Sequence, residues 1–145
     1  MKERTMVISN LEIGDETYDS NEGSWNVTRA LRDCLAGKHK IYEHDTADVL
    51  AHNRKVEVDD AKIASMVANP ERFAESPPLI FACEQGKAWL IDGHHRLRAL
   101  HLLEQARFVA YVIEEKDAAP YRVYFNGKRV APWHSKTLAK RGNRT

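Results

Sequence analysis

The rhythm of apolar and polar positions changes once, near the middle of the chain. Trp89, Leu90 and Ile91 form a short apolar run of the kind that ends a buried strand. Asp92 and Gly93 break it, and from His94 the spacing turns helical. Ala99, Leu102, Leu103 and Ala106 recur at i, i+3, i+4 and i+7 and predict the packed face, while His94, Arg98, His101 and Gln105 form a polar stripe. The stretch reads as strand, tight turn, helix. Just upstream, Leu79 to Cys83 is a continuous apolar run. Glu84-Gln85-Gly86-Lys87 is a turn, and Ala88 to Ile91 returns antiparallel to that run. Phe108 to Ile113 is the last core strand.

The flanks are less regular. A short strand is expected at Thr5–Ser9. Ser24 is placed to cap a helix carrying Trp25, Thr28, Leu31, Cys34 and Leu35, which Gly37 ends. Ile41 to Leu50 reads as extended; its Glu43, His44, Asp45 and Asp48 are either surface charges or the opposite wall of a site. Asp59 or Asp60 caps a helix with Ile63, Met66 and Val67, stopped by Pro70. Tyr121–Phe125, Asn126-Gly127 and Lys128–Val130 carry a hairpin signal, because Asn-Gly suits a type I′ turn. Together these elements predict an α+β fold.

Charge divides the chain although its formal net is only +1. Residues 1–23 form an acidic arm, residues 24–130 a single domain with an N-terminal helix and a C-terminal hairpin, and residues 131–145 a basic tail. After Asp117 there is no acidic residue, so the tail is either a solubilising end or a salt-dependent, sequence-blind contact for nucleic acid. No stretch of 18 apolar residues exists, which predicts no membrane span. Cys34 and Cys83 are far apart without metal spacing and read as reduced core thiols of a cytoplasmic protein.

The turn at residues 92–96 suits an anion. The first N–H groups of a helix lack partners inside it, and the helix dipole adds positive character there. Gly93 allows close approach, Arg96 can fork onto phosphate oxygens, and His94 and His95 add donors. The plainer alternative is that Asp92 only caps the helix. His94 and His101 are two turns apart and do not share a metal, so no metal ligands are assigned.

Asp92-Gly93-His94-His95-Arg96-Leu97-Arg98-Ala99 resembles the signature of the ParB/sulfiredoxin superfamily: a strand, then Gly-x-(His/Arg)-Arg-x-x-Ala opening a helix. The resemblance covers residues 40–114. It implies a small mixed sheet flanked by helices, to which the N-terminal helix and C-terminal hairpin are additions. Where sulfiredoxins carry a catalytic cysteine this chain has His94, and of the paired arginines of partition proteins it has only Arg96. The spelling is most similar to free serine kinases, in which the motif's Asp resembles a general base; Asp92 matches it, but Asn53 stands where their second acid is expected.

The resemblance implies a nucleoside di- or triphosphate (ATP, ADP or CTP), with magnesium, held by Gly93, His94, His95 and Arg96. Asp92 and His95 are its candidate catalytic residues for phosphoryl transfer, kinase-like or hydrolytic. A non-catalytic DNA-associated accessory protein of phage or plasmid type and a ParB-like nuclease are the alternatives.

Overall fold

The computed structural model describes residues 8–20, 22–125 and 127–129. The basic tail expected at 131–145, and with it the proposed nucleic-acid contact, lies outside the described residues, as do the first residues of the strand expected at Thr5–Ser9. Among the described residues no helix is long and apolar enough to cross a membrane. The chain is mixed α+β and divides into two compact units. His39–Glu114 forms one, and the segments before and after it form the other.

The outer unit begins with β1 (Ile8–Ser9), β2 (Thr17–Ser20) and β3 (Gly23–Asn26), followed by α1 (Val27–Leu35). Strands β2 and β3 form an antiparallel hairpin. That pairing corrects the expected start of the helix. Ser24 and Trp25 are buried in β3, where Ser24 Oγ donates to Asp19 at 2.6 Å, so Asn26 caps instead and accepts from Arg29 N–H at 2.9 Å. The acidic segment is hydrogen-bonded as well: Asn26 Nδ2 donates to Asp15 at 2.7 Å. Gly37 follows the helix with φ +82°, as expected of a stop.

The inner unit runs β4 (Lys40–Asp45), α2 (Thr46–His52), α3 (Asp60–Ala68), α4 (Pro70–Ala74), β5 (Leu79–Glu84), β6 (Lys87–Asp92), α5 (His94–Leu102) and β7 (Arg107–Ile113). Its four strands form one mixed sheet in the order β4-β7-β5-β6. β5 and β6 pair antiparallel, as expected, and β5 lies parallel to β7. Leu50 of α2 and Leu97 of α5 pack with Leu79, Phe81, Leu90, Phe108 and Ala110 on one face of this sheet. Ile80, Ala82 and Ile113 alternate with these and are also buried, which is why β5 reads as an unbroken apolar run.

Three expectations change here. The extended reading of residues 41–50 holds only to Asp45, whose side chain accepts from Asp48 N–H and starts α2. Pro70 ends α3 but also opens α4, since a proline at the first helical position loses no hydrogen bond. The buried face of α5 carries His94, Leu97 and Ala99, whereas Leu102 is 62% exposed and Leu103 lies past the helix end. Leu97 points at the sheet because α5 must lie flat on it, a constraint that apolar spacing alone does not encode.

The chain then re-enters the outer unit through α6 (Glu115–Ala118), a 3₁₀ turn at Ala119–Tyr121, β8 (Tyr124–Phe125) and β9 (Lys128–Arg129). β8 pairs with both β1 and β9, giving the expected hairpin in shortened form.

Candidate functional site

The turn from β6 into α5 is set by one contact. Gly93 has φ +107°, a conformation that disfavours any side chain, and a Cβ there would lie 2.3 Å from Leu79 Cγ. The backbone is therefore pressed against β5. No side chain caps α5, so Asp92 does not play the capping role. Its carboxylate instead takes Arg96 Nη2 at 3.0 Å, one turn along, and the same guanidinium donates to the Pro77 carbonyl. This ion pair is largely sheltered, with side-chain exposures of 12% for Arg96 and 26% for Asp92.

The two histidines diverge. His94 is buried and its Nε2 lies 2.8 Å from the Leu90 carbonyl oxygen, to which it donates. Burial pushes its pKa down to about 4, outweighing the Leu90 hydrogen bond, so the ring is neutral at pH 7. The expectation that the His94 ring grips a phosphate is thereby corrected: the imidazole is held by β6 and does not line the cleft. His95 does line it, and its Nε2 accepts the Asp59 N–H at 2.9 Å. Burial, then the Lys62 charge, lowers its pKa, which suits a ring nitrogen that must remain an acceptor.

Around the start of α5 lies a cleft of about 400 Å³ lined by Lys62, Ser65, Met66, Asp92, Gly93, His95 and Arg96. Four of the five predicted site residues meet there. Lys62 and Ser65 come from α3 and were not singled out from the sequence. They lie three apart, beside the apolar Ile63/Met66/Val67 stripe, so their shared face was visible, but not that it would turn toward residues 92–96. Among the described residues no group of three His, Cys, Asp or Glu side chains is arranged to hold a metal.

A scan against protein-family models finds no match, and neither does a search of curated proteins.

α5 holds the segment leading into α3 through two side chains. One is His95, through its bond to Asp59. The other is Arg98, whose Nη2 donates to the carbonyls of Asn53, Arg54 and Val56 at 3.2, 3.1 and 3.3 Å, gathering the loop between α2 and α3. Arg98→Met is expected to lower stability by about 1.5 kcal/mol, the low end for bonds to a charged donor because the loop is partly solvated. Faster amide hydrogen exchange over residues 53–59 would accompany it; unchanged exchange there would show that the clamp does not hold the loop.

Proposed function

We propose that this protein binds a nucleoside di- or triphosphate at the cleft around residues 92–96 and transfers or hydrolyses its phosphoryl group. The observation that carries this reading is an uncapped nine-residue helix opening into a cleft that gathers Lys62, Ser65, Arg96 and a single carboxylate, Asp92. A helix start supplies N–H donors and positive potential, and Lys62 and Ser65 add a charge and a hydroxyl suited to phosphate oxygens. The ParB/sulfiredoxin-like character of the inner unit belongs to the same proposal. Its support is the signature at residues 92–99, on a strand-to-helix joint in a small mixed sheet, within a unit whose limits of 39 and 114 match the span of the resemblance.

Asp92 is the proposed base for an acceptor hydroxyl or water. In the free protein its carboxylate is engaged by Arg96. A phosphate that draws the guanidinium toward itself loosens that pair, leaving the carboxylate to accept a proton only when substrate is bound. The donor set does not fit a resident metal. With one carboxylate in the cleft it does fit magnesium that arrives on the nucleotide, where the ion neutralises phosphate charge.

Calorimetry with ATP, ADP, CTP and GTP in magnesium tests this. Lys62→Met is expected to weaken nucleotide binding about tenfold without changing the melting temperature, since it removes one exposed charge and disturbs no internal bond of the turn. Asp92→Asn is expected to abolish turnover while affinity holds. Absence of binding by any of the four at millimolar concentration would overturn the reading.

A further inference from the structure

The inner sheet ends on β4. In the order β4-β7-β5-β6, β4 has β7 on one side and, among the described residues, no strand on the other. An edge strand presents unpaired N–H and C=O groups, and proteins usually blunt such edges with proline, a bulge or unopposed charge. The centre of β4 carries none of these. It has no proline, and its six residues pair antiparallel with β7 without a shift of register. Ile41 and Tyr42 are 47% and 46% exposed. The charge of Glu43 is met by Arg107 on the neighbouring strand of its own sheet.

The register fixes which backbone groups face outward. Thr46 N–H donates to the Ala106 carbonyl at 2.9 Å, one step beyond the Asp45–Arg107 pair. In an antiparallel ladder, pairs that exchange hydrogen bonds alternate with pairs that do not. Lys40, Tyr42 and His44 therefore bond to β7, while Ile41 and Glu43 turn their N–H and C=O groups to the open edge. Neither has a further backbone partner among the described residues.

The distribution of charge identifies what fits this edge. The strand starts on Lys40 and runs into Asp45 and then Asp48 in the first turn of α2. A second copy laid antiparallel sets the basic start of each strand beside the acidic end of the other, whereas a parallel copy would set like on like. Centring the two-fold axis on Tyr42 gives the fullest pairing without opposed charges. Ile41 and Glu43 of one copy then exchange backbone hydrogen bonds with Glu43 and Ile41 of the other, and Tyr42 faces Tyr42 as a cross-strand aromatic pair. An axis on Glu43 would oppose two carboxylates, and one on Ile41 would pair only the first half of the strand.

We propose that β4 is a self-association edge: two copies of this chain pair their β4 strands antiparallel about Tyr42 and join their four-stranded sheets into one continuous sheet. The cleft at residues 92–96 follows β6, at the opposite edge of each sheet, so this pairing leaves both clefts open.

The first test is sedimentation equilibrium of the full-length protein from micromolar to millimolar concentration. A reversible monomer–dimer equilibrium is expected, weakening as salt rises. Ile41→Pro removes an outward N–H and takes no bond from the β4–β7 ladder, so it should weaken dimerisation about tenfold or more and leave the far-UV circular dichroism unchanged. Tyr42→Lys keeps every backbone donor but opposes two ammonium groups, and should weaken it as well. Cross-linking reads the register. In a Cys83→Ser background under mild oxidation, Tyr42→Cys should give a disulfide-linked dimer, because facing residues of a pair without hydrogen bonds lie about 4.5 Å apart at Cα. Glu43→Cys, which faces Ile41, should link far less. The proposal is overturned if the protein stays monomeric at millimolar concentration, which would leave the edge to an extended segment of another protein. It is equally overturned if folded Ile41→Pro or Tyr42→Lys dimerises like the wild type, or if Glu43→Cys links as readily as Tyr42→Cys. Assembly beyond a dimer would also overturn it, since a two-fold pairing uses each β4 edge once.

Discussion

Gly93→Ala is expected to lower the unfolding free energy by about 3 kcal/mol, the largest loss among the single substitutions considered for the turn. Two effects add. At φ +107° an alanine adopts a left-handed conformation that costs about 1–2 kcal/mol. Its Cβ would also lie 2.3 Å from Leu79 Cγ, and Leu79 is buried in the inner core, so one of them must move at an overpacking cost of about 1–3 kcal/mol. Gly37→Ala serves as the control. Its φ of +82° is comparable but nothing lies within 4 Å of the added carbon, so only the conformational part should appear. Urea unfolding of both variants separates the two terms. Relief of the Gly93→Ala defect by Leu79→Ala, seen as non-additivity in a double-mutant cycle, would assign the excess to this contact. Equal losses for the two glycine variants would show that Leu79 repacks without cost.

Acid is expected to destabilise the protein well before its carboxylates titrate. Burial holds the His94 imidazole at a pKa of about 4, against 6.5 for the unfolded chain. Above pH 6.5 the ring is neutral in both states and the native state carries no penalty. As pH falls below 6.5 the unfolded chain takes up a proton that the native state refuses, so stability declines until the folded group also protonates near pH 4. The full effect is about 3 kcal/mol, of which about 2 kcal/mol falls between pH 7.5 and pH 5. His95, also lowered, adds to the same slope. His94→Gln keeps an N–H donor for the Leu90 carbonyl and cannot titrate. Its stability should change much less over this interval, and a slope as steep as the wild type's would remove His94 as the cause.

Local chemistry was readable wherever the deciding residues are neighbours in the chain. The joint from β6 to α5, the turn that returns β6 on β5, a cap for α3 at Asp59 or Asp60, of which the structure uses Asp59, and the stop at Gly37 follow from residues close together in the chain. Reading failed where a distant partner outbid a local signal. Ser24 looks like a cap, but β2 claims it for a strand; Val49 and Leu50 look extended, but Asp45 and the core draw them into α2.

For the candidate site the division is the same. The amino-acid sequence by itself determined that a glycine and four polar residues meet at a strand-to-helix turn, because turn and helix propensities act over a few residues. Only the tertiary structure decided how those residues are used. It set His94 on the Leu90 carbonyl, His95 on the Asp59 N–H and Arg96 between Asp92 and Pro77, and it brought Lys62 and Ser65 of α3 into the same cleft. It also left His44 Nε2 buried without a partner among the described residues. A side chain's hydrogen-bond partner depends on which groups the packed sheet and helices bring within 3 Å, and that is settled by contacts between residues tens of positions apart.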